Sequence, residues 1–413
     1  MDKISRLPDE LLVKILSFLP TKVAVSTSIL SKQWDLLWMW LPKLDYSTRK
    51  YSESECTRLR GKCFLNKNLP LHRAPIIESF SLDFLASQFK PVTIRSWLLT
   101  AVSRNLREVE VSHGCNNKVL NMLPSSLYTC KSLVSLKLNG RRLLVDVPRM
   151  VSLPCLKTFL LQDVKYKNED SLQRLLSNCP VLEDLVVEGC KGDNMVKFIV
   201  IVPSLQRLTV NILEDLDEFV MNTPSLKYFK LDYYNYKNHH CLIKRMPKLE
   251  EAYVELSFNP VYIDRFIRSI TSVKRLTLCI DDVYGDGFVF DQLEHLQLCT
   301  CDEQHTSGAV IVRLLKDSPN LRVLDLFKME YHNPIGLYTW NQPSTVPECI
   351  LSSLQTFKCS GYSGRPGERD LVIYILKNAN HLKTATIWFP TVDMKKELVL
   401  SSRASNACQL VFD

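Results

Sequence analysis

Apolar and polar positions along this chain follow one recurring motif, apolar-x-x-apolar-x-apolar. Copies begin at Leu106, Leu133, Leu156, Leu182, Leu205, Leu226, Leu249, Val273, Leu293, Leu321, Leu354 and Leu382, with weaker ones at Leu41 and Ile77. The motif selects its own apolar positions, so the residue between the last two is the independent test. In a β-strand that residue points to the opposite face from its neighbours. The fourteen residues there are Asp45, Ser81, Glu110, Lys137, Leu160, Val186, Thr209, Lys230, Tyr253, Thr277, Gln297, Asp325, Lys358 and Thr386. Three of them are hydrophobic, where a 46% background predicts about six. The alternation is therefore real, and the motif predicts strands.

Helices are predicted between the strands. Apolar i, i+3, i+4 spacing marks Ser171–Leu176, Val310–Leu315 and Leu371–Leu376, and Thr93–Val102 and Tyr262–Ile270 read likewise. Several copies share a lead-in, as in Cys179-Pro180-Val181-Leu182, Val202-Pro203-Ser204-Leu205, Thr223-Pro224-Ser225-Leu226, Met246-Pro247-Lys248-Leu249 and Ser318-Pro319-Asn320-Leu321. Proline there is expected to stop a helix and turn the chain into a strand. Most successive copies lie 20 to 29 residues apart, the period of a leucine-rich repeat. The predicted class is α/β: a solenoid with parallel strands on a concave face and helices on a convex one.

The first forty residues break this period. Pro8 opens a helix whose apolar face is Leu11, Leu12, Ile15, Leu16 and Leu19, and Pro20 ends it. Thr21 is expected to cap a second helix and Ser31 a third, the latter with Trp34, Leu37, Trp38 and Leu41 at i, i+3, i+4, i+7. Three short helices bury too little to stand alone, so this unit must lean on the rest of the chain and on another protein.

Composition narrows the functional classes. Glycine is scarce, at 12 of 413 residues, whereas leucine supplies about 15% of the chain, which disfavours glycine-rich phosphate loops. No apolar run is long enough to span a membrane, and the N-terminus lacks a signal-peptide core, so the chain is expected in the nucleus or cytoplasm with its 14 cysteines as thiols. The net charge of +8 comes from scattered Lys and Arg rather than a stripe, which argues against nucleic acid.

The segment Leu7-Pro8-Asp9-Glu10-Leu11-Leu12 … Ile15-Leu16-Ser17-Phe18-Leu19-Pro20 … Leu30-Ser31-Lys32-Gln33-Trp34 … Leu37-Trp38 closely resembles an F-box. Val346-Pro347-Glu348-Cys349 … Phe357 … Glu368 … Tyr374-Ile375-Leu376, with the ending Arg403-Ala404-Ser405 … Cys408 to Asp413, resembles the FBD module of plant F-box/leucine-rich-repeat proteins. Cys359 stands where that module often has Trp, and Ser402 where it often has Pro. An irregular stretch from Tyr331 to Pro347 reads as an insertion ahead of it.

The resemblance implies an F-box at 1–45, a three-helix unit fused to leucine-rich repeats at 46–343, and an FBD module at 344–413 serving as final repeats and cap. It also implies a non-catalytic substrate-recognition subunit of a Skp–cullin–F-box ubiquitin ligase. Its partners would be a Skp-type adapter, through it a cullin, and a client protein, with no cofactor, nucleic acid or membrane. Leu7, Pro8, Leu11, Ile15, Leu16, Leu19, Pro20, Leu30 and Trp34 match the adapter-binding set. The alternative is a repeat scaffold whose F-box recruits no cullin.

Chemistry in the chain itself finds little support. There is no Walker loop, Gly-x-Ser-x-Gly or His-Glu-x-x-His, and no cysteine has an activating neighbourhood. His295, Cys299, Cys301 and His305 are the best metal candidates, yet His295 and Cys299 fall at exposed strand positions, and Cys301 and Cys190 in the slot where such repeats satisfy turn backbone. His239-His240-Cys241, after Tyr233-Tyr234-Asn235-Tyr236, reads as a loop at a repeat edge.

The outward strand positions point to a client surface. Acids there are Asp45, Asp83, Glu108, Glu110, Asp184, Glu188, Asp232, Glu251, Glu255 and Asp325; bases are Lys43, Lys137, Arg207, Lys230, Arg275 and Lys358. The face is thus acidic on a basic chain. Leu160, Val186, Tyr228 and Tyr253, flanked by Asp184, Glu188, Glu251 and Glu255, form the expected client site, which suits a basic segment anchored near Tyr228 and Tyr253.

Overall fold

In a computed structural model the chain divides into two compact units, Met1–Leu205 and Gln206–Asp413. The structure describes residues 4–47, 64–84, 90–114, 120–235, 237, 239–258, 260–280, 283–299, 307–328, 337, 340–360, 362, 364–388 and 392–412. Much of the Tyr331–Pro347 stretch therefore lies outside the described residues, as do Cys301 and His305.

Every copy of the motif produces a strand, beginning two residues after the copy's first apolar residue. In the N-terminal unit these are Lys43–Ser47, Ser79–Phe84, Glu108–His113, Ser135–Asn139, Thr158–Gln162 and Asp184–Glu188, each parallel to the next. In the C-terminal unit Arg207–Ile212, Tyr228–Asn235, Glu251–Phe258, Arg275–Ile280, His295–Cys299, Val323–Phe327, Thr356–Cys359 and Thr384–Ile387 do the same. A further parallel strand, Gln409–Phe412, follows.

The registers explain why the motif is so strict. Its middle residues align as one row across each unit: Asp45, Ser81, Glu110, Lys137, Leu160 and Val186 in the first. In the second the row runs Thr209, Lys230, Tyr253, Thr277, Gln297, Asp325, Lys358 and Thr386. All fourteen are exposed or half-buried, and the apolar residues on either side of each are buried. Each strand thus spends two side chains on the core and leaves the one between them outside. Side chains in the second row bond laterally: the Thr277 hydroxyl donates to Gln297 Oε1 (2.8 Å) and Gln297 Nε2 to Asp325 Oδ2 (3.3 Å).

The five predicted helices are present, at Pro91–Val102, Ser171–Leu176, Pro260–Ser269, Ser307–Asp317 and Pro366–Asn378. Other repeats return through short strands instead. Lys197–Ile201 lies in the N-terminal unit, and Glu218–Asn222 pairs in parallel with His240–Ile243 in the C-terminal one. This changes the role of the lead-in prolines. Pro180 and Pro319 follow helices, but Pro203, Pro224 and Pro247 follow short strands. All five occupy the second position of a turn closed by the motif leucine, as when the Leu205 N–H donates to Val202 O (3.2 Å) and that of Leu226 to Thr223 O (3.1 Å). Proline's fixed φ suits that position.

The serine before the motif residue adds a tie that the pattern does not announce. Ser132, Ser204 and Ser272 hydroxyls donate to the carbonyls of Leu106, Leu182 and Met246, each in the preceding repeat, at 2.7 to 2.8 Å. Glu368 shows what one residue of the FBD-like segment does physically: it is buried, accepts the Arg365 N–H at the start of its helix, and pairs with Lys328 at 3.6 Å.

His72 anchors the start of the array. It is 3% exposed; its Nε2–H donates to Leu41 O (2.8 Å), and Arg104 donates to its carbonyl (2.7 Å) and Nδ1 (3.0 Å). Burial, helped by the Arg104 charge, pushes the ring down to about 4, although the Leu41 hydrogen bond opposes this. The unfolded chain protonates this ring below its ordinary value of about 6.5, and the folded chain resists doing so. Its contribution is therefore intact above pH 6.5 and declines as the pH falls toward 4, by about 3 kcal/mol in all. Denaturation midpoints measured from pH 7.5 to 4.5 should fall, and His72→Gln should flatten that fall. Coinciding slopes would remove His72 from the account.

Candidate functional site

The F-box segment folds as α1 (Asp9–Leu16), α2 (Thr21–Ser26) and two 3₁₀ turns, Thr27–Ile29 and Leu37–Trp40. Three expectations need correcting. Pro8 and Pro20 are the residues before the helices, so Thr21 begins α2 rather than capping it, and its buried hydroxyl accepts the Asp45 N–H (2.8 Å). The third helix is a run of turns ending in the 3₁₀ segment, and Ser31 caps nothing helical. Trp34, Leu37, Trp38 and Leu41 are nonetheless all buried, so the period located the core and missed the backbone conformation.

α1 and the turn after it carry two apolar stripes instead of one. Leu12 and Leu16 point inward and are fully buried. Leu11, Ile15, Phe18 and Leu19, at i, i+4, i+7 and i+8, remain in solvent, joined beyond α2 by Ile29 and Leu30. Phe18 is 80%, Ile29 88% and Leu30 65% exposed. Among the expected adapter residues, Leu11, Ile15, Leu19 and Leu30 are exposed, Pro8 is exposed, and Leu7 and Pro20 are half-buried. Leu16 and Trp34 fill the interior of the unit and present no surface. Sequence reasoning missed Phe18, Ile29, Leu36 and Trp40, all exposed; the signal was a helix apolar over too wide an arc for one core. A cleft of about 840 Å³ beside α1 is lined by Val13, Leu36, Trp40 and Ile76 together with Asp9 and Lys32.

The client positions fare unequally. In the N-terminal unit Leu160 and Val186 are register neighbours, half-buried, with Asp184 and Glu188 on the same strand as Val186. Glu108, Glu110 and Glu188 make no ion pair among the described residues. Asp83 departs from expectation, being buried. In the C-terminal unit Tyr228 and Tyr253 are half-buried and diagonal, since Tyr228 faces Glu251 and Tyr253 faces Lys230. Arg207 lies over the Tyr228 ring at 4.4 Å and Lys230 over Tyr253 at 5.0 Å, so this chain's own cations already cover both. Arg275 pairs with Glu251 (3.0 Å), and Tyr234 donates to Glu255. There Arg207, Lys230, Arg275 and Lys358 balance Asp232, Glu251, Glu255 and Asp325. The acidity predicted for the whole face is thus confined to the first unit.

The metal and loop candidates resolve differently. Cys299 is buried rather than exposed, and among the described residues no three His, Cys, Asp or Glu side chains converge. Tyr233 to Asn235 continue a strand: Tyr233 stacks on Phe219 (5.5 Å) and Asn235 donates to Leu216 O (3.0 Å). His239 is buried against Tyr262 (4.4 Å). Nine of the ten described cysteines are buried; burial pushes Cys179 and Cys349 up to about 12 and Cys241 up to about 11, the reverse of a nucleophilic thiolate. No helix among the described residues is long and apolar enough to cross a membrane.

Comparison with known proteins agrees with this architecture. Family models match for the F-box domain at residues 4–44, for the leucine-rich repeats of an FBD-associated F-box protein at 94–263, and for FBD at 342–387. The chain belongs to the plant family of F-box proteins with leucine-rich repeats and an FBD module. Relatives from Arabidopsis thaliana include FBD-associated F-box protein At4g10400, 55% identical over all of both chains, and FBD-associated F-box protein At5g38590, 52% identical over 94% of this chain and 93% of its own. A third, FBD-associated F-box protein At5g60610, is 47% identical over 94% of this chain and all of its own. An F-box domain implies a Skp-type adapter as partner.

The two stripes of α1 separate stability from surface chemistry. Leu16→Ala should cost about 2 to 5 kcal/mol as a buried truncation, whereas Ile29→Ala should change stability by less than about 0.5 kcal/mol. Equal melting shifts for the two would contradict the assigned stripes.

Proposed function

We propose that this protein is the substrate-recognition subunit of a Skp–cullin–F-box ubiquitin ligase. The observation that carries the reading is the exposed apolar surface of Leu11, Ile15, Phe18, Leu19, Ile29 and Leu30 on a unit whose own core is already filled by Leu12, Leu16, Trp34 and Trp38. Apolar surface so concentrated is costly in water and marks a protein-binding face. The cleft lined by Leu36, Trp40 and Ile76 extends the adapter's footprint onto the first repeat.

The chain performs no covalent step in this reading. It holds a client near a ubiquitin-charged enzyme, which raises effective concentration. The client surface lies on the strand face of the N-terminal unit, where Leu160 and Val186 share the face with Glu188, which makes no ion pair among the described residues, and it suits a basic segment with an apolar anchor.

Two substitutions test the two ends separately. Phe18→Ala with Ile29→Ala should reduce adapter capture at least tenfold, and Leu7→Ala with Pro8→Ala should weaken it, with the melting profile of the repeats unchanged. Retained capture would move the adapter interface elsewhere. Co-purification of cullin with the adapter supports the ligase reading; adapter without cullin favours the scaffold alternative. Leu160→Ala with Val186→Ala should deplete the proteins that accumulate on the receptor under proteasome inhibition and spare the adapter. Should those clients persist there and vanish in Tyr228→Ala with Tyr253→Ala, the site belongs to the C-terminal unit.

A further inference from the structure

A pocket of about 410 Å³ lies within the C-terminal unit, away from the outward strand face. Arg245, Arg265 and Arg268 line it together with Thr271 and Phe288. Arg245 follows the strand His240–Ile243, and Arg265 and Arg268 stand one turn apart on the helix Pro260–Ser269, which puts both on one side of it. Three cations on one small pocket repel each other unless something negative sits between them.

Among the described residues nothing negative does so. No carboxylate lines the pocket among the described residues, and none of the three arginines makes an ion pair there. Three other arginines in the same unit are compensated: Arg313 by Asp286 and Asp317, Arg275 by Glu251, Arg369 by Glu397. Two of the three are positioned without any acid. Arg265 donates to Cys241 O (3.1 Å), and Arg268 lies over the Phe288 ring at 5.3 Å. Their remaining N–H groups are left to the pocket and to solvent.

The ordinary reason for arginine near a helix C-terminus is to satisfy its last carbonyls. Here three of the last four already have partners. Phe266 O accepts from the Ser269 hydroxyl (2.6 Å), Ile267 O from the Ile270 N–H (3.2 Å) and Ser269 O from the Met246 N–H (3.0 Å). The helix end itself presents only about half a negative charge, which three guanidinium groups outweigh several-fold.

We propose that this pocket binds a phosphate monoester. The planar, always-charged guanidinium donates paired N–H groups that match phosphate oxygens, and three of them supply the charge a phosphoryl dianion requires. The pocket volume is at the small end for ligand sites, so it takes a phosphoryl group and a few atoms of its carrier. A phosphorylated side chain of a bound protein and a small phosphorylated metabolite share this chemistry.

The test uses the full-length chain and reads binding of three probes by calorimetry and thermal shift: inorganic phosphate, glucose 6-phosphate, and a phosphoserine peptide pool against its unphosphorylated twin. Inorganic phosphate should raise the melting temperature, and Arg265→Gln with Arg268→Gln should remove that rise and weaken phosphorylated-probe binding at least tenfold. Arg265→Lys with Arg268→Lys keeps the charge and should restore part of it. A phosphopeptide preference of tenfold or more over the twin assigns the carrier to protein, and glucose 6-phosphate binding alone assigns it to a metabolite. The proposal is overturned if no phosphorylated probe binds, or if binding is unchanged in the Gln variant while its melting temperature without ligand matches the parent. Adapter capture is not part of the readout, so failure here leaves the receptor reading untouched.

Discussion

Each strand of the repeats buries two apolar side chains against its neighbours and keeps the one between them outside. That constraint organises nearly everything else. A single strand with its two apolar residues has no core of its own, so each repeat is stable only with the next stacked upon it. Because side chains alternate with period two, a slip of one residue would expose both apolar residues and bury the middle one. The parallel register is therefore fixed by burial, and Pro- and Ser-containing turns reinforce it. Proline sets the turn into the strand, and serine ties the turn to a carbonyl one repeat earlier.

The same requirement explains how the F-box is held. The array begins at Lys43–Ser47, whose outer neighbour must be supplied by something other than a repeat. α2 supplies it: buried Thr21 accepts the Asp45 N–H, and buried Ala24 packs on the same side. Segment 69–74 completes the junction, with His72 bonded to Leu41 O and the Arg73 and Ala74 N–H groups to Met39 O. One face of the F-box is thereby committed to the chain. Its opposite stripe stays in solvent.

The repeats were legible because two independent signals coincided, the apolar spacing and the polar residue within it. Where one signal was missing, the reading failed. Gln409–Phe412 escaped because Ala407 stands where other copies carry Leu, Val or Ile, although Leu410 and Phe412 keep the register against Ala385 and Ile387. The third F-box helix was misread because a 3₁₀ turn preceded by ordinary turns can place Trp34, Leu37, Trp38 and Leu41 inward just as an α-helix would. Exposure is the harder quantity. Leu16 and Ile15 are adjacent and chemically alike, and only the packed structure shows that one is core and the other surface.

Charge was legible as a total and not as a distribution. Summed over all strands the outward face is acidic, but register decides which charges meet. In the second unit it sets Arg207 beside Tyr228, Lys230 beside Tyr253 and Arg275 beside Glu251, so that face is largely neutralised from within. In the first unit Glu108 and Glu110 share the face with Lys137 alone among near bases, and Glu188 faces Gln162. A surface whose charges already pair offers a visitor little electrostatic gain, because each contact displaces one already made. Uncompensated groups are where binding energy remains to be gained. By that criterion the described residues include three such places: the apolar stripe along α1 and the turn after it, the Glu188 carboxylate beside Val186, and the arginines at 245, 265 and 268. They differ in kind, one apolar, one anionic, one cationic, so each favours contacts of a different chemistry.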